Sequence, residues 1–290
     1  MNYAIIKRVL TSIALLLLPG LGLADVKFNL KIQVGGSYIS SGDVNRGTQA
    51  LFDWERAFWP ASQGGYRPVH SSHEFGGDII FELNPTIGIG IGGGYLKTSR
   101  DSVMEVSNPD MDVTGWLLTE PKLSAIPIRL SLFLKFPLTA KINLNAIFGG
   151  SCYFQTRYSD DIRESSYAWA NQLHGFYQIT TRTEKKGAPL GFDGGIGIEY
   201  QLSRKLFLSF DAKGRYAKLR GLEGSSEFYD QFGELFEQGK LYYESVPILI
   251  GAPRLIMVQS SPPEGPDGTA RQAVVDLSGV SLQAGIRIRL

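Results

Sequence analysis

The sequence is short of the residues on which many enzymes and small secreted scaffolds depend. Its 290 residues hold one cysteine and three histidines. Cys152 alone makes no intramolecular bridge, which excludes a disulfide framework. Charge is close to balance, 29 Lys and Arg against 28 Asp and Glu, so neither a polyanion-binding surface nor a nucleic-acid partner is implied. Long apolar runs are scarce too. After Ala24, glycine, proline or a charge interrupts each hydrophobic segment within about ten residues, half of the roughly 20 that a spanning helix needs. The longest run stands at the start. Lys7 and Arg8 precede apolar residues from Val9 to Leu18, then Pro19, Gly20 and a small residue, Ala24, before Asp25. That is the grammar of a secretory signal cleaved after Ala24, and the expected organisation is a signal peptide over 1–24 and a single domain over 25–290.

What is present is glycine, 34 residues, and aromatics, 11%. Apolar residues recur with a period of two, which places them on one face of a strand. Eight segments show it. The first carries Phe28, Leu30, Ile32, Val34 and Tyr38; the second Phe75, Ile79, Phe81 and Leu83. After Asn84-Pro85-Thr86, Ile87, Ile89, Ile91 and Tyr95 alternate with Gly88, Gly90, Gly92 and Gly94. The fourth runs from Ile126 to Phe136, and the fifth from Ile142 through Phe148 to Phe154. The sixth spans Leu190 to Tyr200, the seventh Leu206 to Tyr216, and the last Val280 to Leu290.

The connections alternate in length. Those after the second, fourth and sixth segments are tight turns, whereas those after the first, third, fifth and seventh run to about 33, 25, 30 and 50 residues, well beyond the usual 4–6. Short turns at one end and four long loops at the other are the layout of an up-and-down transmembrane barrel. The polar faces agree, carrying Lys31, Asp78, Glu82, Arg129, Lys135, Asp193, Glu199, Asp211, Lys213, Arg215, Arg287 and Arg289. Both signs occur, so a lumen lined by them neutralises itself through paired, hydrogen-bonded charges. Aromatic residues of the apolar faces sort by height into two girdles with aliphatic residues between. Phe28, Phe81, Phe136 and Tyr200 lie at the turn side, and Tyr38, Phe75, Tyr95, Phe154 and Tyr216 at the loop side, as membrane interfaces favour.

The chain thereby resembles the small outer-membrane β-barrel superfamily that includes the OmpA, OmpX and OmpW type domains. The resemblance rests on the signal peptide, the alternating strands and a terminal strand ending in Ile286-Arg287-Ile288-Arg289-Leu290. It implies an all-β, antiparallel, eight-stranded barrel in the outer membrane of a Gram-negative bacterium. Outer-membrane lipid, lipopolysaccharide and the barrel assembly machinery are the partners it implies. One departure stands out: such barrels usually end in an aromatic residue, and this chain ends in Leu290. Ten strands remain an alternative, because Lys240 to Ile250 and Arg254 to Gln259 form a further β-prone pair. Pro247 favours a hairpin protruding above the membrane. Phe228, Phe232, Leu235 and Phe236, at helical spacing, predict a short helix in the same loop.

Candidate chemistry is sparse. His70-Ser71-Ser72-His73-Glu74 holds the residue types of a Ser/His/Glu hydrolase or of a metal-ligand pair. Neighbours on an extended segment point to opposite faces, so the cluster does not assemble a triad by itself, and a solvated rim is the expectation. His174 is isolated. Phe52, Trp54, Phe58 and Trp59, joined by Tyr167, Trp169, Phe176 and Tyr177, form either a loop patch that grips a ligand or an aromatic cap packed over the barrel mouth. Gly88, Gly90, Gly92 and Gly94 either make room for Lys, Arg and Tyr side chains of neighbouring strands or leave a narrow passage. The functional expectation is a non-enzymatic barrel acting through its loops in adhesion, ligand capture or envelope integrity, with no metal or cofactor and an unspecified surface ligand. A narrow, porin-like channel for small or hydrophobic solutes is the alternative, and a lipid-modifying enzyme the third.

Overall fold

The computed structural model describes residues 26–168, 173–245, 253–263 and 270–290. The expected signal peptide, Trp169 and Pro247 lie outside the described residues. Eight strands close into a ring in which each pairs antiparallel with its neighbours: β1 (Lys27–Ile39), β3 (Ser71–Glu82), β4 (Ile87–Ser99), β7 (Lys122–Pro137), β8 (Ile142–Ala168), β10 (Leu190–Gln201), β11 (Leu206–Tyr216) and β18 (Gly279–Arg289). The last strand returns to the first, Leu30 opposite Ile288 and Tyr38 opposite Val280, so the wall has no free edge.

Side-chain alternation in the wall is inside out. Phe75, Ile79, Ile128, Leu132, Ile196 (61% exposed), Ile198 and Leu282 point outward, whereas Lys31 (1%), Asp78, Asp211 and Arg287 (2%) point into the lumen. Water gives a protein no reason to display such a belt of large apolar side chains and bury its charges; a bilayer gives both. The chain is a transmembrane β-barrel. Between the two sets of aromatics the belt is not purely aliphatic. Phe148 and Phe210 also face outward there, which costs nothing because a phenyl ring carries no polar atom to satisfy in lipid.

The four long connections are largely folded. They supply β2 (Gln63–Gly65), β5 (Ser102–Asn108), β6 (Val113–Thr119), β9 (Leu173–Lys185), β12 (Lys218–Leu219), β13 (Leu222–Asp230), β14 (Gly233–Ser245), β15 (Arg254–Gln259), β16 (Arg271–Gln272) and β17 (Val275–Asp276), with, among the described residues, one α-helix, α1 (Asp43–Phe58), and a 3-10 turn at Pro109–Met111. Most extend the wall sheet into a cap. The upper half of β8 pairs with β6 and β9, β9 with β13, β13 with β14, and β14 with β15. The β14–β15 pair is the hairpin foreseen above the membrane, outside the eight-stranded wall.

Two expectations fail here. The segment holding Phe228, Phe232, Leu235 and Phe236 is a β-hairpin, not a helix. Asp230 accepts hydrogen bonds from the amides of Phe232 and Gly233 at 2.7 and 3.0 Å, a turn that stops helical propagation, and β9 supplies the pairing partner. Conversely, Phe52, Trp54 and Phe58 lie on α1 rather than in a loop. Its buried residues Val44, Gly47, Thr48, Leu51, Phe52 and Glu55 follow a helical period.

Strand β8, 27 residues long, joins wall and cap. Up to Phe154 its odd residues, Ser151 and Tyr153, face inward; from Thr156 on, the even ones do, Thr156, Tyr158 and Asp160. The change of parity is a β-bulge. Gln155 and Thr156 together oppose Ala125 of β7, and Gln155 takes a φ of 45°.

Candidate functional site

The lumen is filled in three tiers. Nearest the turns, Arg287 donates to Asn29, Glu82 and Glu199 at 2.6, 2.8 and 2.8 Å and stacks 3.9 Å above the ring of Phe207. Lys135 and Arg289 share Glu82, at 3.1 and 3.7 Å. Beside them Ile80, Phe133 and Ile147 form a small apolar cluster, and the recess left at this mouth holds about 20 Å³, room for about one water. In the middle, Asp211 receives Lys31 at 2.7 Å, Gln33 at 2.5 Å and Lys213 at 3.4 Å, while Asp78 receives Arg129 at 3.4 Å and Asp193 a hydrogen bond from Ser151 at 2.5 Å. Arg215 and Gln283 bind Glu74 at 2.6 and 2.7 Å. All twelve charged residues read from the polar faces therefore sit inside the ring.

Sequence reasoning places Gln33 and Gln283 on the polar faces with these charges but misses Glu74 as a member. Glu74 keeps the parity of Asp78 and Glu82 along β3, a signal overlooked because the preceding histidines read as a loop.

The third tier was not foreseen. At the loop-side mouth the inward positions turn apolar: Ile39, Leu96, Leu123, Ala125, Tyr153 and Ala217 meet Leu219, Leu222, Leu241 and Leu277 from the cap. None is more than 1% exposed. This is an apolar stopper across the barrel. The glycines of β4 serve the same filling. A Cβ on Gly90 would come within 2.5 Å of the Phe133 ring, and one on Gly92 would meet the Asp78 carboxylate. The room made at Gly90 and Gly92 is thus for Phe133 and Asp78 rather than for Lys, Arg or Tyr side chains.

The aromatic cluster splits. Phe52 is 1% exposed and packs with Leu51, Met104, Val106 and Leu117, against Trp54, Trp59, Tyr66 and Tyr177. It is the second core of the cap. Glu55 is drawn into this core, accepting a hydrogen bond from Tyr177 at 3.2 Å, and burial pushes its carboxyl up to about 7. Glu164 is likewise raised to about 7 by burial and then by the charge of Glu55, and Asp160 to about 7 by burial. Phe176 lies outside this core, stacked on His174 and tilted against Tyr229, and Tyr167 sits in the β8–β9 pairing opposite His174.

The hydrolase cluster does not converge. Ser71 and His73 point out from β3, while Ser72 and Glu74 point in. His70 Nδ1 lies 2.8 Å from the carbonyl of Ile39, and its ring stacks on Tyr38. His174 contacts Ser165 at 3.0 Å, and among the described residues no carboxylate orients that ring. No group of three or more His, Cys, Asp or Glu able to hold a metal occurs among the described residues.

A cleft of about 750 Å³ opens on the flank of the cap, between α1 and the strand ends above β11 and β18. Arg46, Gln49, Tyr66, Lys218, Arg220 and Tyr243 line it. Its back wall is fixed by Asp43, which takes a bidentate pair from Arg271 at 2.5 and 2.8 Å and a further bond from the amide of Val274 at 2.7 Å. Arg271 also lies 5.1 Å above the Tyr243 ring. The lining sets Arg46, Lys218 and Arg220 beside Asp53, Asp276 and two tyrosine rings, a mixture that suits a polar ligand such as a glycan.

No protein-family model and no curated protein matches this sequence. Among solved structures, similarity is found to a major outer membrane protein from Thermus thermophilus, 11% identical over 91% of this chain and 99% of that one, with a TM-score of 0.39. The outer membrane protease OmpT from Escherichia coli is 10% identical over 93% and 99%, with a TM-score of 0.34. The fold assignment rests on the closed strand pairing itself.

Proposed function

We propose that this chain is a bacterial outer-membrane protein of the OmpA, OmpX and OmpW type, closed to solutes, whose folded cap presents a ligand-binding surface outside the cell. The observation that carries the reading is the apolar stopper at the loop-side mouth, above a lumen of paired charges. A solute would have to part buried ion pairs and then an apolar seal, and an eight-stranded ring is only just wide enough for its own side chains. The barrel acts as a stand and the cleft beside α1 as the place of capture, without enzymatic turnover. Lipopolysaccharide surrounds the wall, and the terminal strand Gly279–Arg289 is the element offered to the barrel assembly machinery.

Planar-bilayer recording on refolded protein tests closure: no single-channel steps are expected, and reproducible steps would overturn it. Mass spectrometry of lipid A and phospholipid after incubation is expected to show no new product.

A further inference from the structure

The exposed stripe of α1 borders a groove longer than the flank cleft alone. Arg46, Gln49, Asp53 and Arg56 stand three, four and three residues apart, which sets them in one row along the helix. That row lines the cleft of about 750 Å³ and also a second recess of about 370 Å³, to which Arg56, Gly64 and Arg67 belong. Gln49, Asp53 and Tyr66 line both, so the two recesses form one groove. From Arg46 to Arg56 it follows the helix for about 15 Å, a length that suits an extended chain molecule better than a single small solute.

Charge along this groove is uneven. At one end Lys218 and Arg220 are exposed, and among the described residues neither forms an ion pair. Arg271 there is already held by Asp43, and Arg46 lies 3.5 Å from the same carboxylate. At the other end Arg56 gives one N–H to the carbonyl of Gly64 at 2.6 Å. Gly65 has no side chain to push that guanidinium aside, whereas a Cβ there would come within 2.7 Å of it. Arg67, exposed beside it, has no ion pair among the described residues. The middle is of another kind: Asp53 accepts a hydrogen bond from the Gln49 amide at 2.7 Å, and Tyr66 is held through its hydroxyl by Asn45. In all, six cations and three carboxylates line the groove, and two of the carboxylates, Asp43 and Asp276, are buried.

Excess positive charge at both ends calls for an anionic ligand. A polyanion charged on every unit, such as a nucleic acid strand, would lay a phosphate against Asp53. A glycan that alternates acidic and neutral sugars avoids this conflict. Its carboxylates match the arginine forks, its hydroxyls meet the amide and carboxylate of the middle, and the apolar face of a sugar ring rests on an aromatic one. We propose that the groove along α1 binds a linear extracellular glycan in which uronate units alternate with neutral sugars. This assignment rests on the reading of the cap as a capture surface and names the class of ligand captured.

The test uses the full mature chain folded into phosphatidylcholine vesicles free of lipopolysaccharide. Three fluorescent probes are titrated: a hyaluronan octasaccharide, the same octasaccharide with its carboxylates reduced to alcohols, and an oligothymidylate of similar length. Hyaluronan is expected to bind, with the reduced form weaker about tenfold or more, a difference of about 1.4 kcal/mol, and oligothymidylate also weaker. The double variant Arg67→Gln, Arg220→Gln, one change at each end, should weaken hyaluronan binding about tenfold while folding into vesicles as before. Lys186→Gln, outside the groove and with its ammonium held by Glu223, should change nothing. Equal binding of the reduced probe overturns the acidic ligand and leaves the cleft as a place of capture. Equal hyaluronan binding by the double variant overturns the groove as its site, and tighter binding of oligothymidylate overturns the assignment to a glycan. No binding of any probe overturns this inference and capture in the cleft together.

Discussion

Arg287 and Phe52 are almost equally hidden from solvent, 2% and 1% exposed, yet they belong to interiors built on opposite rules. Around Arg287 the inside is charged and the outside apolar; around Phe52 the inside is apolar, and the outer face of α1 carries Arg46, Gln49, Asp53 and Arg56. One continuous sheet makes both. The solvent beyond the wall, lipid for one half and water for the other, decides which face each side chain takes. The cap thus keeps an apolar core where the wall keeps a charged one, and the apolar stopper is where the two meet.

Breaking the polar interior should have the largest effect. Arg287→Met strips Glu199 of its partner cation and should cost about 3–5 kcal/mol in folding into vesicles, the usual result of leaving a buried charge alone. In the apolar interior Phe52→Ala should cost about 3–5 kcal/mol as well, but locally: exchange protection should fall in α1 while the wall strands keep theirs. A uniform loss of protection would show that cap and wall fold as one unit. On the lipid side, Ile196→Arg should cost about 2–4 kcal/mol, and Leu130→Arg the same, by titration of vesicle folding.

The smallest effect is one of pH. Glu55, Glu164 and Asp160 are neutral in the folded cap up to about 7 but ionise near their ordinary values once unfolded. The folded cap thus binds more protons. The stability this supplies is complete below about pH 4 and is lost as pH rises through about 7. Proteolysis within α1 should be slower at pH 5 than at pH 8, and Glu55→Gln should flatten that difference while the barrel stays intact. An unchanged profile in the variant would remove Glu55 from the account.

The wall was legible because lipid enforces the simplest possible code, apolar and polar by turns over ten residues, as in Ile126 to Phe136. The cap was not, because its strands answer to neighbours that the sequence does not announce. Beyond Phe154 the chain reads Arg157, Tyr158, Ser159, Asp160, Asp161, where the buried Asp160 looks no different from the half-buried Asp161. The charged lumen could be read position by position, but the ligand cleft could not: Arg46, Tyr66 and Lys218 are brought together only by the packing of α1 over the barrel rim. The hairpin tip shows the reverse error, in which Phe232 (87% exposed) and Leu235 took on a helical look by chance spacing.

The bulge at Gln155 works as an inserted letter that resets the reading frame of the sheet. Ironing it flat with the residue still in place would act as a frameshift acts on a message: everything upstream would be read as before, while downstream Arg157 and Ser159 would be carried into the cap and Tyr158 and Asp160 out of it. Deleting Gln155 itself would keep both frames, because Thr156 would then follow Phe154 with the alternation unbroken.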